Sequence, residues 1–259
     1  MAETIAVLSL KGGTGKTTTV RTLADVLRRI GLDVLAIDLD PQGNLSDYFD
    51  VPPDASPTIA DVLSGSAKAK AASHAGVIPA TPILAEVERT MSGKMGRELV
   101  LRKALKDVRK EHDLVLIDCP PALGLLTING LVAADWALVS SEAQYFALQG
   151  VEGVLEALEQ AKEFYNPDLD VLGIVLNIAD MRTVHSRDAY AALKEHYGDK
   201  VFESVIRSSI AYAESAEKAI SILDHRPDLA ADYYALADEV LARVGLKDER
   251  KKLKPLLAG

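Results

Sequence analysis

Eight consecutive residues, Lys11-Gly12-Gly13-Thr14-Gly15-Lys16-Thr17-Thr18, carry the strongest chemical signal in the chain. They follow an apolar run of strand length and lead at once into a segment of helical period. Glycines there let backbone N–H groups turn inward around an anion, and a helix start adds partial positive charge. The loop is therefore expected to cradle phosphate; a glycine turn that merely packs is the plain alternative. Lys16 is placed to bridge the β- and γ-phosphates of a nucleoside triphosphate, the Thr17 hydroxyl to ligate Mg2+, and Thr18 to reach the α-phosphate.

Two further apolar runs end in carboxylates. Ile37-Asp38-Leu39-Asp40-Pro41 puts Asp38 and Asp40 at the C-terminal edge of a strand, where α/β folds place their ligands, although an Asp-Pro turn alone is a common strand end. Leu114-Val115-Leu116-Ile117-Asp118 ends in a carboxylate suited to take a metal-bound water, so Asp118 joins Thr17 as a candidate metal residue. Cys119 is the single cysteine, which excludes an internal disulfide and a zinc site built from cysteine pairs; it is expected to be a small buried hydrophobe. The five histidines show no ligand spacing, so Mg2+ is the only metal expected.

The elements that must hold these groups follow from periodicity. Strand-length apolar runs fall at 5–10, 34–37, 114–117, 136–139, 171–176 and 201–206. Helical patterns fall at 16–30, 99–110, 150–164, 186–196, 211–220 and 228–244. Strands apolar on both faces and separated by helices describe an α/β, doubly wound, mostly parallel sheet with helices on both faces. At 259 residues and 48% apolar content the chain can build a sizeable core, here expected as one domain over 1–246. The stretch after Asp50, with Pro52, Pro53 and Pro57 and then Ala, Ser and Lys over 64–73, is expected to be a surface excursion rather than a sheet strand. Residues 247–259 are expected to form a basic C-terminal tail, a candidate disordered end. A formal charge of −9 argues against an all-over basic surface, and the absence of a long apolar run or leader pattern points to a cytoplasmic protein.

The lysine at Lys11, with glycines crowded behind it, resembles the deviant Walker A motif of the ParA and MinD family of positioning ATPases, and the resemblance runs from about Ile5 to Val244. It is nearest to ParA-type partition ATPases, and also covers 125–129 and 145–150. It implies ATP and Mg2+ as cofactors and an ATP-sandwich homodimer in which Lys11 crosses to the partner's nucleotide. By the same resemblance Asp40 orients the attacking water and Asp38 helps hold Mg2+ or its water shell. Asn177 looks like the family's adenine-reading residue, and Ile206, Arg207 and Ser208 fall where relatives line the other side of the base. The nitrogenase iron protein shares the fold but needs two cysteines per subunit.

The family resemblance also implies weak intrinsic ATP hydrolysis stimulated by a ParB-like adaptor. It further implies ATP-dependent binding of non-specific double-stranded DNA on the nucleoid, to segregate or position DNA or protein cargo. Arg182 matches a DNA-contacting arginine of some relatives and Arg207 is displaced by one position, while Ser208 and Ala211 stand where relatives carry arginines. DNA contacts are therefore expected from Arg182, Arg207 and the basic tail. The alternative is a MinD-like membrane module. Its hallmark C-terminal amphipathic helix is not expected here, because Pro255 interrupts the leucines at 246, 253, 256 and 257. A metabolic ATPase of the same fold is a third reading, and no second substrate constellation in the sequence supports it.

Overall fold

The computed structural model of the chain describes residues 1–144 and 147–257. Tyr145 and Phe146, part of the family resemblance, lie outside the described residues. In chain order the first half runs β1 (Glu3–Leu8), α1 (Lys16–Arg29), β2 (Val34–Asp38), α2 (Asn44–Tyr48), α3 (Ile59–Ser64), β3 (Val77–Ile78), α4 (Ile83–Met91) and α5 (Val100–Leu105). Then follow β4 (Leu114–Asp118), α6 (Leu125–Ala133), β5 (Trp136–Glu142), α7 (Ala147–Phe164), β6 (Asp170–Ala179) and α8 (Val184–Tyr197). β7 (Val201–Arg207), α9 (Ala211–Glu217), α10 (Ile222–His225), α11 (Pro227–Arg243) and α12 (Lys247–Leu257) complete the described chain.

All strand pairs are parallel, in the order β3-β2-β4-β1-β5-β6-β7. Alternation along β1 shows why both faces must be covered. Ile5 and Val7 face a core built with Val20, Leu23 and Leu27 of α1 and Tyr233, Leu236 and Val240 of α11. Ala6 and Leu8 face the opposite core, with Leu101 of α5, Leu131 of α6, Val154 of α7 and Leu193 of α8. A strand sealed on both faces exposes only its ends. Every phosphate-side candidate accordingly sits at or just beyond the C-terminal end of a strand.

Two expectations are corrected. The stretch after Asp50 is not all surface: α3 buries Ile59, Ala60, Val62 and Leu63, Ala69 and Ala72 are buried behind it, and β3 joins the sheet edge soon after. Its helix start is fixed locally, where Asp61 accepts from the Thr58 backbone N–H at 2.8 Å. Two residues of strand are too few to show a period of two. Residues 247–257 of the basic tail are folded as α12, and Ala258 and Gly259 lie outside the described residues. Leu253 is fully buried, Leu246 and Leu256 pack beside it, and Arg250 pairs with Asp238 of α11 at 2.6 Å. Pro255 lies in the last turn, where it removes a single helical bond rather than breaking the helix.

The β7 margin of the sheet is closed by side chains of α11. The Glu239 carboxylate accepts from the backbone N–H groups of Glu203 and Ser204 at 2.9 and 2.8 Å, and Asp232 accepts from that of Arg207 at 3.0 Å. Asp232 and Glu239 stand two helical turns apart and so share a face.

Candidate functional site

The phosphate loop leaves β1 and enters α1 with Gly13 and Gly15 at φ +78° and +82°. A Cβ on Gly15 would also stand 3.3 Å from Asn177 Nδ2, so glycine is required there by conformation and by contact. Lys16 is 7% exposed, and its Nζ donates to Ser9 Oγ at 3.1 Å and to the Lys11 carbonyl at 3.3 Å. Burial lowers the Lys16 pKa, opposed chiefly by the charge of Asp118. A cation this deeply placed, with neutral oxygens as its hydrogen-bond partners, favours an arriving anion.

Asp38 and Asp118 end β2 and β4 in direct register. Asp38 is well held: Ser46 donates to it through N–H at 2.9 Å and Oγ at 2.7 Å, and the Asp40 N–H donates at 3.0 Å. Asp118 is not. Its Oδ2 accepts from Thr17 Oγ1 at 2.7 Å, while its buried Oδ1 has no partner among the described residues. Burial pushes both carboxyls up, and the charge of Asp38 adds to the shift at Asp118. Two adjacent buried carboxylates beside a threonine hydroxyl suit a hydrated divalent cation, which relieves their repulsion and gives the orphaned oxygen a water to accept from. No group of three or more His, Cys, Asp or Glu side chains that could cage a metal occurs among the described residues. The residues thus fit Mg2+ carried with phosphates and waters.

Thr17 is backed by this carboxylate pair, and it opens onto a cleft of about 880 Å³. Loop residues 12–18, Asp40, Asn177, Ile206, Arg207 and Ser208 line the cleft together, so the structure gathers the sequence candidates for phosphate and base around one space. Asp40 is half-buried there, its Oδ1 accepting from the Gln42 N–H at 3.0 Å. Asn177 is buried and already donates from Nδ2 to the Thr14 carbonyl at 3.1 Å and to Ser140 Oγ at 2.7 Å. Its Oδ1 has no partner among the described residues, so it can accept from a ligand but its donor is spent.

Lys11 stands apart from this enclosed chemistry. Its side chain is 61% exposed, and its Nζ donates to Glu142 at 2.8 Å and Gln144 at 2.7 Å. The two candidate DNA arginines are likewise outside the cradle, and both are paired. Arg182 grips Asp180 through Nε and Nη2, each at 2.8 Å, and holds that carboxyl down at about 2. Arg207 pairs with Asp232 at 2.9 Å.

Residues 2–171 match the model of the AAA domain family. The chromosome-partitioning ATPase Soj of Thermus thermophilus is 39% identical over 93% of this chain and 96% of its own. The chain belongs to the Soj/ParA family of partitioning ATPases. Solved structures share its fold. Cobyrinic acid a,c-diamide synthase of Mycobacterium smegmatis, with ATP analogue and magnesium bound, superposes with a TM-score of 0.76 at 34% identity, covering 87% of this chain and 96% of that one. The ATP complex of Cyanothece McdA(D38A) superposes with a TM-score of 0.83 at 25% identity, over 94% and 96%. As a Soj/ParA-family ATPase, the chain uses ATP and Mg2+, and ATP hydrolysis is its reaction.

Several contributors to the Soj/ParA-family site are not visible from motifs. Ser9 receives Lys16, Ser46 holds Asp38, Ser140 touches the phosphate loop, and Glu142 with Gln144 receives Lys11. For Ser140, Ser141 and Glu142 a signal existed: polar residues ending an otherwise apolar strand at the ligand edge. Cys119 is fully buried, as its neighbours in sequence imply, and burial raises its pKa, which suits an inert thiol.

Proposed function

We propose that this chain is a ParA-like switch that closes as an ATP-sandwich homodimer, binds non-specific double-stranded DNA in that state, and is released when a ParB-like adaptor stimulates otherwise slow hydrolysis. Its place is the nucleoid in the cytoplasm, and its task is to segregate or position DNA or protein cargo. The observation that carries the reading is the contrast between the two loop lysines. Lys16 is sunk in its own cradle, whereas Lys11 is held by Glu142 and Gln144 at the exposed lip, where a second molecule can reach it.

Within each subunit the loop N–H groups and Lys16 hold the β- and γ-phosphates, Thr17 and Asp118 hold the metal and its water, and Asn177 Oδ1 accepts from the exocyclic amine of adenine. Bound Mg2+ supplies neutralisation of charge on the phosphate oxygens. Asp40, half-buried and fixed by Gln42, orients the attacking water, and Asp38 steadies Asp40 through its backbone N–H. Lys11 of the other subunit adds charge where the transition state develops it, so hydrolysis waits on pairing. Arg182 and Arg207 turn from Asp180 and Asp232 to DNA phosphates. The MinD-like alternative is weakened because Leu253 of α12 is packed against the body of the protein and not available to a bilayer.

The test uses Asp40→Ala to hold the ATP state. With ATP this variant is expected to run as a dimer in light scattering and to bind a sequence-neutral duplex in a salt-sensitive way, and with ADP to do neither. An ATP-loaded monomer would refute the sandwich. A dimer that ignores DNA but sediments with anionic liposomes would move the function to a membrane surface.

A further inference from the structure

The carbonyl oxygen of Thr14, in the middle of the phosphate loop, is turned towards β5 and β6 and gripped from two sides. Ser140 Oγ donates to it at 2.7 Å and Asn177 Nδ2 at 3.1 Å, and Nδ2 also donates to Ser140 Oγ at 2.7 Å. These three residues close a triangle with almost no contact with solvent, at 3%, 2% and 1% exposure. They are brought together from positions 126 and 163 residues apart.

The Thr14 carbonyl and the Gly15 N–H belong to one planar trans peptide, so they point in opposite directions. Fixing the oxygen on Ser140 and Asn177 therefore fixes where the N–H points, and Gly15 lines the nucleotide cleft. This peptide turns on ψ of Thr14 and φ of Gly15, and glycine, here at φ +82°, takes either sign of φ with little steric cost. A flipped peptide would present a carbonyl to the phosphates in place of a donor. The amide of Asn177 packs directly on the same peptide, 3.3 Å from where a Gly15 Cβ would stand.

We propose that Ser140 and Asn177 are positioning residues that clamp the Thr14 carbonyl and so keep the Gly15 N–H aimed at the nucleotide's phosphates; the clamp rests on the cleft being the ATP site. Ser140 isolates the effect from base recognition. It lines a small cavity of about 140 Å³ behind the loop, with Ser9 and Thr14, and not the nucleotide cleft. Its loss weakens phosphate binding without altering how the base is read.

The experiment is titration of ADP and ATP, with GTP in competition, into the wild-type chain, Ser140→Ala and Ser140→Cys. Cysteine keeps the volume but donates weakly, so a loss shared by both variants reports the hydrogen bond and not a cavity. Apo unfolding midpoints confirm that folded proteins are being compared. ADP and ATP affinity is expected to fall about five- to tenfold in both variants, with the preference for ATP over GTP unchanged, since the clamp serves phosphates common to both. ADP affinity within about twofold of wild type in Ser140→Ala would overturn the clamp, as would a loss accompanied by a changed base preference. No saturable binding by the wild-type chain would instead overturn the ATP reading of the cleft.

Discussion

Lys16 and Arg207 line the same cleft and are treated in opposite ways. Lys16 is buried with only a hydroxyl and a carbonyl as hydrogen-bond partners, beside an Asp118 whose second oxygen has no partner among the described residues. Arg207, elsewhere on the cleft wall, is half-exposed and already has its carboxylate in Asp232, much as Arg182 has Asp180. The loop end holds a buried carboxylate oxygen with no partner among the described residues, which is costly in low dielectric. The arginine end is at rest without a ligand. Binding at the first end gains from completing the site, whereas a polyanion at the second must replace an existing ion pair with a new one. Such exchanges between exposed charges are worth little each and are strongly screened by salt.

That contrast predicts unequal responses. Lys16→Ala removes the charge facing the β- and γ-phosphates, and ATP affinity should fall by more than about 100-fold in calorimetry, as expected for charge-assisted bonds in a buried site. Retained affinity would mean that backbone donors alone set binding at this end. Chelation of Mg2+ should be milder. ADP affinity is expected to drop by about tenfold in EDTA, because the Asp118 pair loses its cation while the loop keeps its donors; an increase would place the carboxylates in a different role. Asp232→Asn should be milder still and opposite in sign. Freeing Arg207 is expected to strengthen duplex binding by the ATP dimer about two- to threefold and to steepen the salt dependence by about one unit per released contact. Weaker DNA binding would show that Asp232 positions Arg207 for phosphate and does not hold it in reserve.

What could be read from the sequence follows the range of the interactions. The phosphate loop and the carboxylates at Asp38, Asp40 and Asp118 are legible because strand, loop and helix succeed one another within a few residues. The Thr14–Ser140–Asn177 triangle is not, since its members meet only once β1, β5 and β6 lie side by side. Asn177 is legible as a base-reading candidate through the family resemblance, but the commitment of its donor to the loop is not. At the C-terminus composition pointed the wrong way. Five basic residues in 247–254 suggest a solvated end, yet Leu253 and Leu256 give α12 an apolar side beside Leu246, and Asp238 gives Arg250 a partner. In the stretch after Asp50, alanines and single leucines bury well but carry too little periodic contrast to announce α3 and β3.

The carboxylates of Asp232 and Glu239 on the outer margin of β7 also bear on how densely such molecules can be packed. A strand with idle donors at its rim is where neighbouring copies fuse irreversibly when concentrated, and here those donors are occupied from within the same chain. The opposite rim, β3, offers two residues. Crowding of such molecules then carries little risk of sheet-to-sheet growth through either rim.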